Sequence, residues 1–259
     1  MKSALNYHQT MALLKFDLRE SFNSVLWVGY SWFYFLFQFF VYGTLISKLV
    51  ITVQNYFFYY GTGLIILSSF NIASWAGRRF VEGAHEGRLR YVLSLPIGRS
   101  EFFLEQLVVG VIVNIVRMVP PLILVLWLSG LLTWINLVST LLVLTLVAVG
   151  IMGLMISLSV IAFKSFDIYS AIVASLSALL IRFSTINYPI SSMNSLYAQI
   201  SLFNPVSYGA DLFRRALGLD TPLLLNPDFS LSVVAALCVG TIFLGIFFIS
   251  KFVEGVKSS

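Results

Sequence analysis

Charge is scarce in this sequence, and that scarcity decides the first question. Only 10% of the 259 residues are charged while 59% are apolar, and the mean hydropathy is +0.92. No water-soluble core of this size requires such a balance, whereas a polytopic membrane protein does. Cysteine is nearly absent: Cys238 stands alone in a hydrophobic run, which excludes an intrachain disulfide framework and a cysteine-based metal cluster. The two histidines, His8 and His85, lie far apart, and no GxxxxGK[ST] loop, HExxH pair or GxSxG elbow occurs. Glu82, His85 and Glu86 do cluster, but on a charge-dense segment they read as an ion-paired surface rather than a metal site. These absences argue against an enzyme and against a metal or cofactor held by this chain. The net charge of +5 has no soluble basic face to occupy, so nucleic acid is excluded as a partner.

What the chain has in quantity is apolar length. Six hydrophobic runs, at residues 25–46, 56–76, 103–128, 136–163, 166–183 and 231–250, are each long enough or nearly so for a bilayer core of about 30 Å. The fold expected is an all-α polytopic membrane protein with six transmembrane helices, forming one transmembrane domain over residues 1–259. An even number of spans puts both termini on one side. With both inside, the inner segments hold Lys2, Lys15, Arg19, Arg78, Arg79, Arg88, Arg90, Arg99, Lys164, Lys251 and Lys257, eleven of the sixteen basic residues. The outer segments hold Lys48, Arg182, Arg214 and Arg215, so the positive-inside rule selects cytoplasmic termini, as expected of a plasma-membrane protein.

Residues 1–24 are too polar to span and lack the pattern of a cleaved signal peptide. Met11, Leu14, Leu18, Phe22 and Val25 recur at three and four, with Lys15, Asp17, Arg19, Glu20 and Asn23 elsewhere around the turn. That pattern predicts an amphipathic helix in the headgroup plane.

Residues 82–105, EGAHEGRLRYVLSLPIGRSEFFLE, form a charge-dense segment within the cytoplasmic loop 77–103 and the start of the third run. Its middle, 86–95, reads as a short helix: Leu89, Val92 and Leu93 share one side, Arg88 and Arg90 lie away from it, and Pro96 closes it. Such a helix suits docking into a protein groove.

The third run carries Arg117, twelve residues beyond Glu105 and so about 18 Å further along a helix. A guanidinium at that depth must face protein or water. Asn114 lies one turn earlier, and Pro120 and Pro121 free carbonyls one turn back and predict a kink. Arg117 reads either as part of a substrate path or subunit interface, with Asn114 and Asn71, or as a structural arginine bonded to neighbouring helices. No carboxylate is expected inside a span. Ser68, Ser69, Asn71 and Ser74 in the second run, and Gly150, Gly153 and Ser157 in the fourth, read mostly as close-packing positions. The aromatic load, 23 Phe, 12 Tyr and 5 Trp, is concentrated at residues 30–42 and 56–60; it reads first as lipid-facing and interfacial, with the lining of a cavity for an apolar or flat solute as the alternative.

The segment 184–230 is too long for a simple turn and is divided by Pro189, Pro205, Pro222 and Pro227. Met193, Leu196, Ile200 and Phe203 repeat at three and four, as do Tyr208, Leu212 and Arg215. Two short outer helices are predicted, forming a lid, the first dipping into the bilayer as a re-entrant piece.

Residues 86–102, EGRLRYVLSLPIGRSEF, resemble the cytoplasmic coupling segment of ABC-2 type transporter permeases, in which an acidic residue and Gly precede a Leu-rich helix, a Leu-x-x-Pro stop, a basic residue and a Glu-Phe pair. Residues 204–217, NPVSYGADLFRRAL, are similar to that family's outer motif. The likeness extends over the six-run architecture and is nearest the drug- and polyketide-exporting branch; Arg88, where Thr is commoner, and Arg117 depart from the pattern. The resemblance implies an exporter permease with no nucleotide site, working as two copies with two separate ATPase subunits that bind ATP and Mg. It further implies that Glu86, Arg88, Leu89, Arg90, Val92, Leu93, Leu95 and Pro96 engage the ATPase. Asn204, Pro205, Tyr208, Asp211 and Arg214 become the outer lid. The rival reading is an ATP-independent carrier or a membrane scaffold.

Overall fold

The computed structural model describes residues 2–23, 25–48, 55–95, 97–219 and 226–252. Those residues are almost entirely helical and contain no strand. In chain order they form α1 (Lys2–Asn23), α2 (Val25–Phe37), α3 (Gly43–Ser47), α4 (Tyr56–His85), α5 (Arg88–Ser94) and α6 (Arg99–Leu128). Then come α7 (Trp134–Ile161), α8 (Phe166–Arg182), α9 (Ser195–Leu202), α10 (Pro205–Leu217) and α11 (Pro227–Phe252). A π-helical turn, Gln38–Tyr42, joins α2 to α3.

Three helices, α6, α7 and α11, are each long and apolar enough to cross a membrane, and the segments Gln9–Asn23 and Val28–Ser47, inclined at 55°, would supply a fourth if taken as one broken span. This is a membrane protein with fewer self-evident spans than its six hydrophobic runs predict. The shortfall has a physical cause in α4. That helix is the centre of the bundle, packed against α6, α7, α8 and α10, so it carries Gly, Ser and Tyr for close packing in place of lipid-facing leucines. A Cβ on Gly77 would fall 2.1 Å from the Tyr169 hydroxyl of α8. α8, with 17 residues, is short rather than polar.

Small residues likewise set the α7–α11 contact. A Cβ on Gly153 would meet Thr241 Oγ1 at 2.7 Å, and Ser157 Oγ donates to the Thr241 carbonyl at 3.2 Å. The packing role expected of Gly153 and Ser157 is what the structure displays.

The two ends of the bundle differ in what they hold. One holds α5, between the last turn of α4 and the first turn of α6; Arg99 there donates to the Ser250 carbonyl of α11 at 2.8 Å. The opposite end holds α9 and α10, beside the first turns of α4. The paired prolines do not end α6, which runs unbroken through Pro120 and Pro121. Pro121 removes the usual donor to the Arg117 carbonyl, and the Trp32 indole of α2 replaces it at 3.0 Å.

Candidate functional site

The α5 segment begins at a break forced by Gly87, whose φ of +81° lies in the left-handed region that favours glycine. α5 therefore starts at Arg88 rather than Glu86. Its apolar face does not look outward. Leu89 and Val92, at 5% and 3% exposure, are part of this chain's own core, so they are not available to a partner's groove as expected. What faces out is Glu86, Tyr91 at 68% exposure, and Ser94, with Leu95 half-buried. Pro96 and the side chains of Arg90 and Leu93 lie outside the described residues.

Arg88 is not a free steering charge either. It pairs with Asp17 and, at 3.0 Å, with Glu20, both on α1, and its guanidinium lies over the Phe16 ring. Glu20 also accepts from Arg79 of α4 at 3.0 Å, and Ser21 Oγ accepts from Arg79 at 2.5 Å. Gln106 of α6 donates to Asp17 at 2.6 Å and to Glu105 at 2.8 Å. Asp17 is buried, although the sequence pattern assigns it to the wet side of α1; its spacing from Leu14 and Ser21 at three and four is the signal available. Burial pushes the Asp17 carboxyl above the usual carboxylate range, and Arg88 pulls it back only in part. Glu105 is a second correction: a carboxylate buried in a membrane-length helix, with Oε1 unpartnered among the described residues.

One turn deeper, α2, α4 and α6 enclose a cleft of about 390 Å³ lined by Tyr30, Ser31, Tyr34, Ser68, Asn71, Ile72, Trp75, Arg117 and Met118. Asn71 and Arg117 thus share one space. Asn114 does not line it; its side chain is fully buried, with neither amide atom partnered among the described residues. Arg117 donates to the Ser21 carbonyl at 3.3 Å, satisfying a free carbonyl of the last turn of α1, and lies 5.2 Å from the Trp75 ring centre.

At the opposite end, the residues expected to form a lid are instead an internal anchor. Arg214 is 0% exposed. It donates to Thr62 Oγ1 at 3.1 Å, to the Ile186 carbonyl at 2.8 Å and to Asp211 at 3.4 Å, and it covers the Tyr59 ring at 3.5 Å. Asn204 caps two helices at once, donating to the Leu180 and Phe183 carbonyls and accepting from the Val206 N–H at 3.0 Å. Pro205 fills the first helical position, where no N–H is needed. Tyr208 donates to the Leu202 carbonyl at 2.6 Å. It is α10, not α9, that enters the bundle, packing on α4, α7 and α11, while Leu196, Tyr197 and Ile200 of α9 and the Phe203 that follows it are exposed.

Comparison with protein families matches residues 8–217 to the ABC-2 type transporter. The chain belongs to the ABC-2 type transporter family. A comparison with curated proteins finds no match. The matched span runs from α1 to the end of α10 and so contains both the α5 segment and the α10 anchor. An ABC-2 transporter domain is a membrane transport component, and permeases of this family generally work with ATPase partners. In this ABC-2 chain the unforeseen residues are Asp17, Glu20, Ser21, Arg79, Glu105 and Gln106, which with Arg88 join α1, α4, α5 and α6 into one polar cluster, and Trp75, whose ring lies under Arg79 and Arg117.

Proposed function

We propose that this chain is the permease subunit of an ATP-binding cassette exporter, drawing its energy from a separate ATPase that binds ATP and Mg. In this reading α2–α3, α4, α6, α7, α8 and α11 are the six spans, α1 is interfacial, and the α5 end is cytoplasmic in the plasma membrane. The basic residues gathered at that end, Arg78, Arg79, Arg88 and Arg99, support the orientation. Two copies of the chain would meet two ATPases.

The observation that carries the proposal is the fastening of α5. A short helix whose outer face presents Tyr91 and Ser94, with Glu86 exposed just before it, is fastened through Arg88 to α1 and packed against the end of α4. A push on Tyr91 would therefore be delivered to α1 and α4 rather than absorbed by a loose loop. Closure of an ATPase dimer under α5 would shift the bundle between inward-open and outward-open states.

The test is ATP hydrolysis in lipid nanodiscs after co-expression with the candidate ATPase. Co-purification with stimulated hydrolysis, abolished by Tyr91→Asp while the chain still inserts, is the expected result. Stimulation unchanged in Tyr91→Asp would remove α5 as the contact, and no ATPase binding by the intact chain would favour a carrier or scaffold.

A further inference from the structure

Arg117 is 5% exposed, and none of the ion pairs among the described residues involves it. Among the described residues its guanidinium bonds one carbonyl and lies over one indole ring, and its Nε has no hydrogen-bond partner. The nearby carboxylates are engaged elsewhere: Asp17 with Arg88 and Gln106, and Glu20 with Arg88 and Arg79. A guanidinium withdrawn from water without an opposite charge is costly, so the arrangement is a standing attraction for an anion.

The rest of the cleft qualifies which anion. Tyr30, Tyr34, Trp75, Ile72 and Met118 form apolar and aromatic walls, while Ser68 and Asn71 add hydrogen-bonding capacity. Asn71 is exposed on α4 and makes no hydrogen bond among the described residues. A free inorganic ion would leave the aromatic walls wet, and an apolar solute would leave Arg117 unpaired.

We infer that the cleft takes an amphiphile with an anionic head, phosphate or carboxylate, its head at Arg117 and Asn71 and its apolar part along Tyr30, Tyr34 and Trp75. This rests on the permease reading and narrows its substrate class. The same chemistry would arise from a transported solute or from an anionic bilayer lipid.

Binding is measured on the full chain in phosphatidylcholine nanodiscs without ATPase or ATP, by the saturable change in tryptophan emission on adding dodecyl phosphate. Dodecyltrimethylammonium and inorganic phosphate serve as comparison probes. Dodecyl phosphate alone of the three should saturate. Losing the charge-assisted bond in Arg117→Gln should weaken it roughly tenfold to a hundredfold, with Arg117→Lys intermediate. Because Arg117 also holds the end of α1, the second variant is Asn71→Leu, on an exposed position, expected to weaken binding several-fold. Loss of dodecyl phosphate binding in phosphatidylglycerol nanodiscs would identify a bilayer lipid as the natural source, and retained binding a transported solute; both support the site. Equal binding of the cationic probe, or affinity unchanged in both Arg117→Gln and Asn71→Leu, would overturn it. Since no ATPase is present, these outcomes are independent of whether α5 couples to one.

Discussion

The Trp32 indole donates to the Arg117 carbonyl at 3.0 Å, occupying the acceptor that Pro121 leaves without its helical N–H. α2 is thereby pinned to α6 at the residue whose side chain forms the back of the cleft. Trp32→Phe keeps an aromatic ring but withdraws the donor, leaving a carbonyl unsatisfied away from water. The expected loss is about 1–2 kcal/mol, read as a lowered unfolding temperature of the detergent-solubilised chain. A variant as stable as the parent would mean that another donor takes over.

The pairing of Arg88 with Asp17 predicts an asymmetry between its two halves. Asp17 is nearly fully buried whereas Arg88 is 29% exposed, and burial outweighs the attraction in setting the Asp17 carboxyl above its ordinary range. Removing Arg88 leaves a buried carboxylate less compensated, so Arg88→Ala should cost roughly 1–3 kcal/mol. Asp17→Asn keeps the Gln106 contact and removes the buried charge, so it should cost much less. Unfolding temperatures of the two variants at neutral pH decide the point.

The same shift gives a pH dependence with a definite sign. A carboxyl whose folded-state pKa is raised binds more protons folded than unfolded, so stability falls as pH rises above the ordinary value of 3.8 and levels off past the folded pKa. Asp17→Asn should flatten that part of the stability profile, measured by thermal unfolding across acidic buffers. A profile identical to that of the parent would remove Asp17 as its source.

Both motif-bearing segments are legible in the sequence, but the direction in which their side chains face is not. Residues 86–95 read as a helix with an apolar side, and α5 is one; the spacing does not say whether Leu89 and Val92 meet a partner or their own chain, because either burial produces the same pattern. The sequence puts Arg214 on the outside because arginine in a loop between spans is usually wet, yet Asp211, Thr62 and two carbonyls satisfy it at zero exposure. Asp17 hides among the polar residues of α1 for the opposite reason: its partners Arg88 and Gln106 are 71 and 89 residues away. Helix existence is a local property, whereas the pairing of isolated charges in an apolar chain is not.

Arg214 should be among the least replaceable residues of the chain. Truncation to alanine would take the paired cation away from the buried Asp211 and open a void between α10 and α4, a loss of about 3–5 kcal/mol. Lys in its place carries the charge but cannot reproduce the planar fork that reaches Thr62 and the Ile186 carbonyl together. Both variants are expected to accumulate poorly in membranes, with Asp211→Asn milder. Normal yield and unfolding temperature for Arg214→Ala would contradict the anchor.

The two faces of α5 separate packing from partner contact. Leu89 lies in the core, so Leu89→Ala should destabilise the isolated chain by about 2–5 kcal/mol through lost burial and the cavity left behind. Tyr91 stands in solvent, so Tyr91→Ala should change stability by no more than about 0.5 kcal/mol. If α5 is pressed by an ATPase through its exposed side, the ranking reverses in a hydrolysis assay at a temperature where both variants are folded: Tyr91→Ala loses stimulation and Leu89→Ala keeps most of it. The opposite ranking in that assay would mean that α5 turns its apolar face outward when the partner binds, and that the inward packing of Leu89 belongs to the chain standing alone.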